Sequence, residues 1–420
     1  MDTYAQQVAE AAWKAYQKIQ YHDKAPLAMA ERKLTLRRRV PDQQRLAWAR
    51  KVIEGMKGRK TPANLPEVYA LEQILLDKEP ERELKLQAVR IGELGITAIP
   101  DEVFGITGLK LKAQSPLEPT FNIELANGEE GYIPPPEQHK LGGYTTWPAR
   151  TASLEVRAEP KIVEVLLQLL EQVSGKPRRR AAEVHGPYAR AVLASKPLAY
   201  WRMGEFSGPA AIDATGNKNH ALYEDGVVFY LEGPEGAGFC GPDHVNRSPH
   251  FAGGRMKASL DNLGTTYSVE AWFWNGLPAD ARAVTGYLFS RGPDGAKEAP
   301  GDHLAIGGKD CAAGRLLFYN GNTRKETLSG TTVIPLRSWN HVVLVRDGKK
   351  ASVYLNGRTP PEMSGEAAPG FDPAVVQVFL GGRNDGFADF EGKIDEVAVY
   401  PRALAPDEIA RHFAAAGMKK

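Results

Sequence analysis

Phe390-Glu391-Gly392-Lys393-Ile394-Asp395-Glu396-Val397-Ala398-Val399-Tyr400, followed by Arg402-Ala403-Leu404, contains the run that decides the fold of the second half of this chain. Ile394 to Tyr400 is short, mostly apolar and bounded by turn-forming residues, which predicts a strand. Similar runs recur upstream between clusters of Gly, Asn, Asp and Pro: Leu198 to Met203, Ser268 to Trp274, Tyr287 to Ser290, Leu316 to Tyr319, His341 to Arg346, Ala351 to Leu355 and Val375 to Leu380. Short strands at that spacing are the pattern of a β-sandwich. Arg346-Asp347-Gly348-Lys349 predicts a tight hairpin, because Asp-Gly tolerates positive φ. From residue 186 almost nothing reads as helix until Ala405 to Phe413, where Pro406-Asp407-Glu408 places a proline and two acids in a first helical turn.

The preceding region has a different period. Tyr4, Val8, Ala11, Ala12, Ala15, Tyr16 and Ile19 recur at three- and four-residue steps and predict an amphipathic helix whose apolar face needs cover. Asp42 to Met56 predicts a second helix with Asp42 as N-cap, and Leu65 to Leu76 a third with Pro66 in its first turn. Alternation in Leu84 to Arg90, Gly95 to Ile99 and Thr120 to Leu125 predicts strands, with no strand partner evident before residue 84. Glu159 to Val173 predicts an amphipathic helix through Ile162, Val163, Val165, Leu166, Leu169 and Leu170. Gly175 to Gly186 has neither period and carries Lys176-Pro177-Arg178-Arg179-Arg180, which reads as a solvated hinge before an anchor for an acidic partner. The expected organisation is an α+β domain over residues 1–174, a linker over 175–188 and an all-β domain over 189–416.

Composition narrows the partners. The 420 residues carry 53 Lys plus Arg against 51 Asp plus Glu, a net charge of +2, so no global field draws in nucleic acid. No run approaches the ~18 apolar residues of a membrane span. Met1-Asp2-Thr3-Tyr4 enters a polar helical pattern directly, without the regions of a secretory signal. Cys240 and Cys311 lack metal-ligand spacing and read as two free, buried thiols, with pairing left open to geometry.

Ala199-Tyr200-Trp201-Arg202-Met203-Gly204-Glu205, then Asp213-Ala214-Thr215-Gly216-Asn217-Lys218-Asn219-His220-Ala221, resembles the opening of the laminin-G-like family, a concanavalin A-like jelly roll. Ser268 to Phe273, Trp339 to Val343, Val353 to Gly357 and Phe390 to Leu404 resemble later stretches of that family in the same order. The resemblance implies an all-β concanavalin A-like sandwich that binds a glycan or cell-surface ligand, in a secreted, periplasmic or cell-surface setting. Trp201, Trp272 and Trp339 read as core, and Trp274, before Asn275-Gly276, as a surface ligand platform. Asp213, Asn217 and Asn219 offer hard oxygens in one loop, and the resemblance brings Asp395 to them as a calcium site. Asx-turn chemistry accounts for the same residues without an ion.

Arg90 to Glu102, running on to Gly108, is similar to a stretch of the neutral/alkaline ceramidase catalytic domain. Asn127-Gly128-Glu129-Glu130-Gly131-Tyr132, Glu137 and Tyr144 look like the block that follows it there. This resemblance, over residues 4–172, implies an α+β partial ceramidase-like domain in which Glu102 and Tyr132 match zinc ligands. Read from the residues alone, Glu102 is a helix N-cap and Tyr132 a packed strand tyrosine. Pro134-Pro135-Pro136 and His139 depart from the ceramidase pattern, and His139 falls on a family tyrosine outside the metal shell. The family's zinc histidines and serine loop lie in a preceding half that these residues do not include, so zinc is expected only if that N-terminal half is supplied as a partner. The combined expectation is a fragment of a zinc amidohydrolase joined to a ligand-binding sandwich, inactive alone. An adhesive or scaffolding protein and a glycosidase on the concanavalin-like fold are the alternatives.

Overall fold

Alternation in Glu81–Ile91 turns Leu84, Leu86 and Ala88 to one face, where all three are fully buried. That face is the floor of the first of two units in the computed structural model, which describes residues 2–179, 185–241, 245–321, 324–370, 372 and 374–418. One unit comprises residues 1–133 with 147–181, and the other residues 134–146 with 182–420.

The first unit runs α1 (Asp2–Tyr16), β1 (Leu27–Arg37), α2 (Gln43–Gly55), α3 (Leu65–Lys78), β2 (Glu81–Ile91), β3 (Leu94–Ala98) and β4 (Glu102–Val103). It continues with α4 (Gly105–Gln114), β5 (Thr120–Ile123) and β6 (Tyr132–Ile133); α5 (Pro136–Leu141) falls in the second unit, and α6 (Ala158–Ser174) returns to the first. The sheet order is β1-β2-β3-β5. The stripe of α6, with Ile162, Leu166, Leu169 and Leu170, packs with Ala30, Leu36, Leu84, Leu86 and Ala88 in one core. Asp42 caps α2 by accepting from the Arg45 amide, and Asn64 caps α3 by accepting from the Glu67 amide.

Several expectations for this unit are corrected. A strand partner does precede residue 84: β1 pairs antiparallel with β2 from Leu27↔Ile91 to Arg37↔Glu81. Its alternation is interrupted by charged Glu31, Arg32 and Lys33, because much of the strand is exposed. Glu102 is no N-cap; it lies in β4, and α4 starts three residues later behind Phe104. The apolar face of α1 stays exposed, with Tyr4, Val8, Trp13 and Tyr16 all more than half accessible, and the helix ends before Ile19. The basic run is no solvated hinge as far as residue 179. Lys176 pairs with Glu93, Arg178 with Glu164 and Glu171, and Arg179 with Glu118 and the Ser115 carbonyl. Arg180 and the remainder of that run, to residue 184, lie outside the described residues.

The second unit continues from α5 through α7 (Pro187–Ala194), β7 (Ala199–Trp201), β8 (Ala210–Ala211), β9 (Ala221–Tyr223), β10 (Val227–Glu232), α8 (Ala237–Cys240) and β11 (Arg247–Ala252). Then come β12 (Met256–Ser259), β13 (Thr266–Asn275), β14 (Val284–Arg291), β15 (Asp302–Gly308), β16 (Cys311–Asn320) and β17 (Thr327–Val333). The chain closes with β18 (Trp339–Asp347), β19 (Lys350–Leu355), β20 (Met363–Glu366), β21 (Gln377–Leu380), β22 (Glu391–Tyr400) and α9 (Pro406–Ala415).

Every strand expected in this half is present, and the hairpin turns at Gly348, whose φ is +55°. One sheet has the order β10-β11-β22-β13-β18-β19-β20 with β7 on β22, and the other β17-β16-β15-β14-β21-β12-β9-β8. The jelly-roll core lies between them: Val269, Ala271, Phe273, Val342 and Leu344 share one cluster with Met256, Leu304, Ile306, Leu316, Phe318, Val378 and Leu380. Buried Asp302 ties the sheets together, accepting from Tyr267 (2.8 Å) and Arg346 (3.0 Å) of one and Asn320 (2.6 Å) of the other. Helix α7 was not expected; its eight residues lie in and beyond the anticipated linker. Neither cysteine is in a disulfide among the described residues, and Cys311 is exposed at the start of β16 while Cys240 is buried.

Candidate ligand-binding face

The period of β13 decides what each side of the first sheet can do. Val269, Ala271 and Phe273 face the core, so Glu270 and Trp272 emerge on the outer side, with the cluster that includes Tyr188, Phe239, Tyr400, Ile409 and Phe413 from α7, α8, β22 and α9. Glu270 is fully buried and accepts four hydrogen bonds there: from Tyr188 (3.0 Å), His341 (2.8 Å), Tyr400 (2.9 Å) and His412 (2.8 Å). Burial opposes its charge, yet the bonds from His341 and His412 hold its carboxyl well below the usual range. His412 is also penalised by burial, and Glu270 lifts it above the ordinary histidine value. This side of the sandwich is closed by helices.

The outer side of the second sheet is different. Its cross-strand register lines up Lys257↔Phe379, Phe379↔Ser290, Ser290↔His303, His303↔Tyr319 and Tyr319↔Thr327, with Tyr287↔Ala305↔Leu317↔Ser329 beside them. Tyr287, Ala305 and Leu317 form their own small apolar cluster, with Ala312 and Ala388 at its margin. The His303 ring stacks on Tyr319 (centroids 5.6 Å) and is fixed between the Ser290 hydroxyl and the Ala299 carbonyl. Burial pushes His303 down to about 4, so it is neutral at physiological pH. The loop 383–389 borders this floor. Arg383 lies over both Tyr287 and Phe387 and makes two bonds of 2.8 Å to Asp385, while Phe387 remains 45% exposed. Half-exposed aromatic rings beside a fixed Arg-carboxylate fork can stack on an apolar ligand face and hydrogen-bond its hydroxyls.

The residues singled out in the sequence fall in several places. Trp201 and Trp272 are buried, and Trp339 packs at the edge of the helix-covered cluster. Trp274 is half-buried, with the Lys393 ammonium 5.3 Å above its ring and His250 at its side, so its face is already occupied. The Asp213 carboxylate accepts from the Tyr200, Thr215 and Asn219 amides and the Thr215 hydroxyl. Asn217 and Asn219 direct their amides to the Leu198 carbonyl. That is the turn arrangement, and a carboxylate so filled with donors does not fit a calcium ion. Asp395 belongs to another cluster, on β22 opposite Trp272, where Asn246 donates to it at 2.7 Å and burial pushes its carboxyl up.

Glu102 and Tyr132 are brought together, as directly paired residues of the parallel β4–β6 ladder, and both are half-buried. Glu137 and His139 lie on α5, in the second unit. Among the described residues no group of three or more His, Cys, Asp and Glu could hold a metal. Sequence reasoning missed Arg383 and Phe387, the accessible members of this side, and Tyr287, which is buried beneath them. The available signal was Arg383-Asn384-Asp385-Gly386-Phe387, a turn-type segment ending in an aromatic residue with no apolar period around it.

Residues 252–410 match the concanavalin A-like lectin/glucanases superfamily, which covers the strands of both sheets from β12 through β22. A stretch of 121 residues is 30% identical to the adhesion G-protein coupled receptor D1 of Homo sapiens, across 28% of this chain and 14% of the receptor. The chain thus spans 14% of the length of that relative. Domain 4 of an extracellular arabinanase from Geobacillus stearothermophilus, solved with arabinotriose, is 20% identical over 52% of this chain and 98% of that domain, with a TM-score of 0.39. The receptor-binding domain of botulinum neurotoxin type G is 12% identical over 52% of this chain and 51% of its own, with a TM-score of 0.36. Among the described residues no helix is long and apolar enough to cross a membrane.

Next to Glu102, Asp101 is fully buried, and neither of its carboxyl oxygens has a hydrogen-bond partner. Burial first, then Glu130 and Glu129, push it up to about 8. A carboxyl whose folded value lies above its unfolded value of ~3.9 favours folding most at acid pH, and that contribution is lost as pH rises through ~8. Asp101→Asn is expected to raise the melting temperature relative to wild type at pH 9 and to change it little at pH 4. Equal shifts at both pH values would mean that Asp101 is already ionised in the fold.

Proposed function

We propose that the second unit is a glycan-binding module that takes its ligand on the outer side of the second sheet, against Tyr319, Phe387 and the Arg383–Asp385 pair. One observation carries this reading: helices close the outer side of the first sheet, whereas the second presents a 45%-exposed Phe387 next to an ordered guanidinium–carboxylate fork. Truncating a central contact that carries binding costs ~1.4 kcal/mol or more, which is tenfold in affinity. In calorimetric titration with a hit from an oligosaccharide array, Phe387→Ala and Arg383→Ala should each weaken binding about tenfold with little change in melting temperature. Binding lost in Trp274→Ala and kept in Phe387→Ala would move the site to the first sheet. Silence across the array would sink the glycan reading.

The pairing of Glu102 with Tyr132 favours a second reading for the first unit, as part of a ceramidase-like zinc amidohydrolase. A zinc site needs at least three protein ligands and prefers imidazole or thiolate, and this oxygen pair falls short of that set. The purified chain should therefore carry substoichiometric zinc and show no amidase activity above background. Stoichiometric zinc by elemental analysis, lost in Glu102→Ala, would show instead that this unit completes a metal site with its own residues.

A further inference from the structure

Glu270 has a second consequence, at the ends of the helices it holds. Ser195, the C-cap of α7, places its hydroxyl oxygen 2.9 Å from His412 Nε2, and His412 Nδ1 is 2.8 Å from Glu270 Oε2. Because a carboxylate only accepts, Nδ1 carries the proton in that bond, and neutral His412 then presents Nε2 as an acceptor to the serine. Ser195 and His412 also line a cavity of ≈ 460 Å³ together with Lys196, Arg402, Glu408 and Arg411. We propose that Ser195, His412 and Glu270 form a nucleophile, base and orienting carboxylate that hydrolyse a small carboxylic ester bound in this cavity.

Three features support the assignment of roles. Ser195 is half-exposed to the cavity, whereas His412 is 2% and Glu270 0% exposed, the gradient expected of a nucleophile backed by a buried base and a buried orienter. The Ser195 hydroxyl has another neighbour in Glu408, but that carboxyl is held down to about 2, chiefly by its bidentate contact with Arg402. A carboxylate only accepts, so the Ser195 hydroxyl donates to Glu408 at rest; Glu408 is too weak a base to take that proton, and the hydroxyl turns to His412 Nε2 once the imidazole is neutral. The remaining charges at the mouth, Lys196 and Arg411, are cationic and suit an oxygen that becomes negative.

The chemistry closes without a cofactor. Ser195 Oγ attacks the ester carbonyl carbon as its proton passes to His412 Nε2. Collapse of the tetrahedral oxyanion breaks the carbon–alkoxide bond, and the alcohol leaves with the proton from His412. Water then attacks the acyl-serine, giving a proton to His412; the acid departs, and His412 returns the proton to Ser195. His412 must be neutral for the first step. Glu270 and Glu408 raise its pKa while burial and Arg411 lower it, with a net rise, so the rate should increase with pH through a value above that of an ordinary histidine.

A fluorophosphonate probe tests the proposal on the intact chain. Mass spectrometry should find a single adduct that maps to Ser195, and p-nitrophenyl acetate hydrolysis should fall to the buffer rate in Ser195→Ala at unchanged melting temperature. Should Ser195→Ala fail to fold, Ser195→Cys keeps the contact, and its thiol should react with iodoacetamide faster than Cys311 at pH 7. No adduct at Ser195, or equal hydrolysis by wild type and Ser195→Ala, would overturn the proposal and leave Ser195 as a helix end. In the cysteine variant, a thiol slower than Cys311 would do the same.

Discussion

A single buried carboxylate determines how the second unit is finished. Glu270 sits on the central strand β13 with no solvent exposure, a position that costs several kcal/mol unless the charge is fully satisfied. Four donors satisfy it, and they come from α7, β18, the end of β22 and α9, so elements far apart in sequence converge on one group. The two histidine contacts make the hub pH-sensitive in opposite senses. The depressed Glu270 contributes above its unfolded value of ~4.3 and is lost as pH falls through its lower folded value. The raised His412 contributes below its unfolded value of ~6.5 and is lost as pH rises through its higher folded value. Both contributions are present together between those unfolded values.

From that hub follows the asymmetry of the sandwich. With α7 and α9 held against β13, β18 and β22, the outer side of the first sheet becomes a second core containing Trp272, Tyr188 and Phe413. The other sheet's buried carboxylate, Asp302, is satisfied from within the sandwich instead, by Tyr267, Arg346 and Asn320. Its outer row is built from Tyr287, His303 and Tyr319, with His303 kept neutral by burial. Tyr287 and His303 are buried, so the accessible groups on that side are Tyr319, Arg383 and Phe387, while the Ser195–His412 pair lies at the margin of the opposite, helix-covered side. The proposed ligand face and the proposed ester chemistry therefore occupy separate places in one unit.

Much of this architecture was legible in the sequence, and the exceptions have physical reasons. Short apolar runs bounded by turns located the long central strands, because those strands are buried on both sides. Short strands such as Ala210–Ala211 at the edge and Ala221–Tyr223 beside it are too brief to show a period. Strand β1 was hidden because half-exposed edge strands admit charges at inward positions, as Arg32 opposite Leu86 shows. The Glu270 hub escaped notice because an acid between Val269 and Ala271 carries no local mark of its partners, which lie between 71 and 142 residues away. Glu102 and Tyr132 were singled out by resemblance alone, and their pairing across β4 and β6 could not be read from spacing, since the ladder is parallel and spans a helix.

Native-state hydrogen exchange at pH 5.5 tests the central claim that Glu270 makes the helices part of the sandwich rather than appendages. If it does, amides in the interior of α9 exchange with the same free energy as those of β13 and β18, and Glu270→Gln lowers the protection of α9 well before that of the strands. Helix amides that exchange by local opening in the wild type, with protection unchanged in Glu270→Gln, would contradict the account.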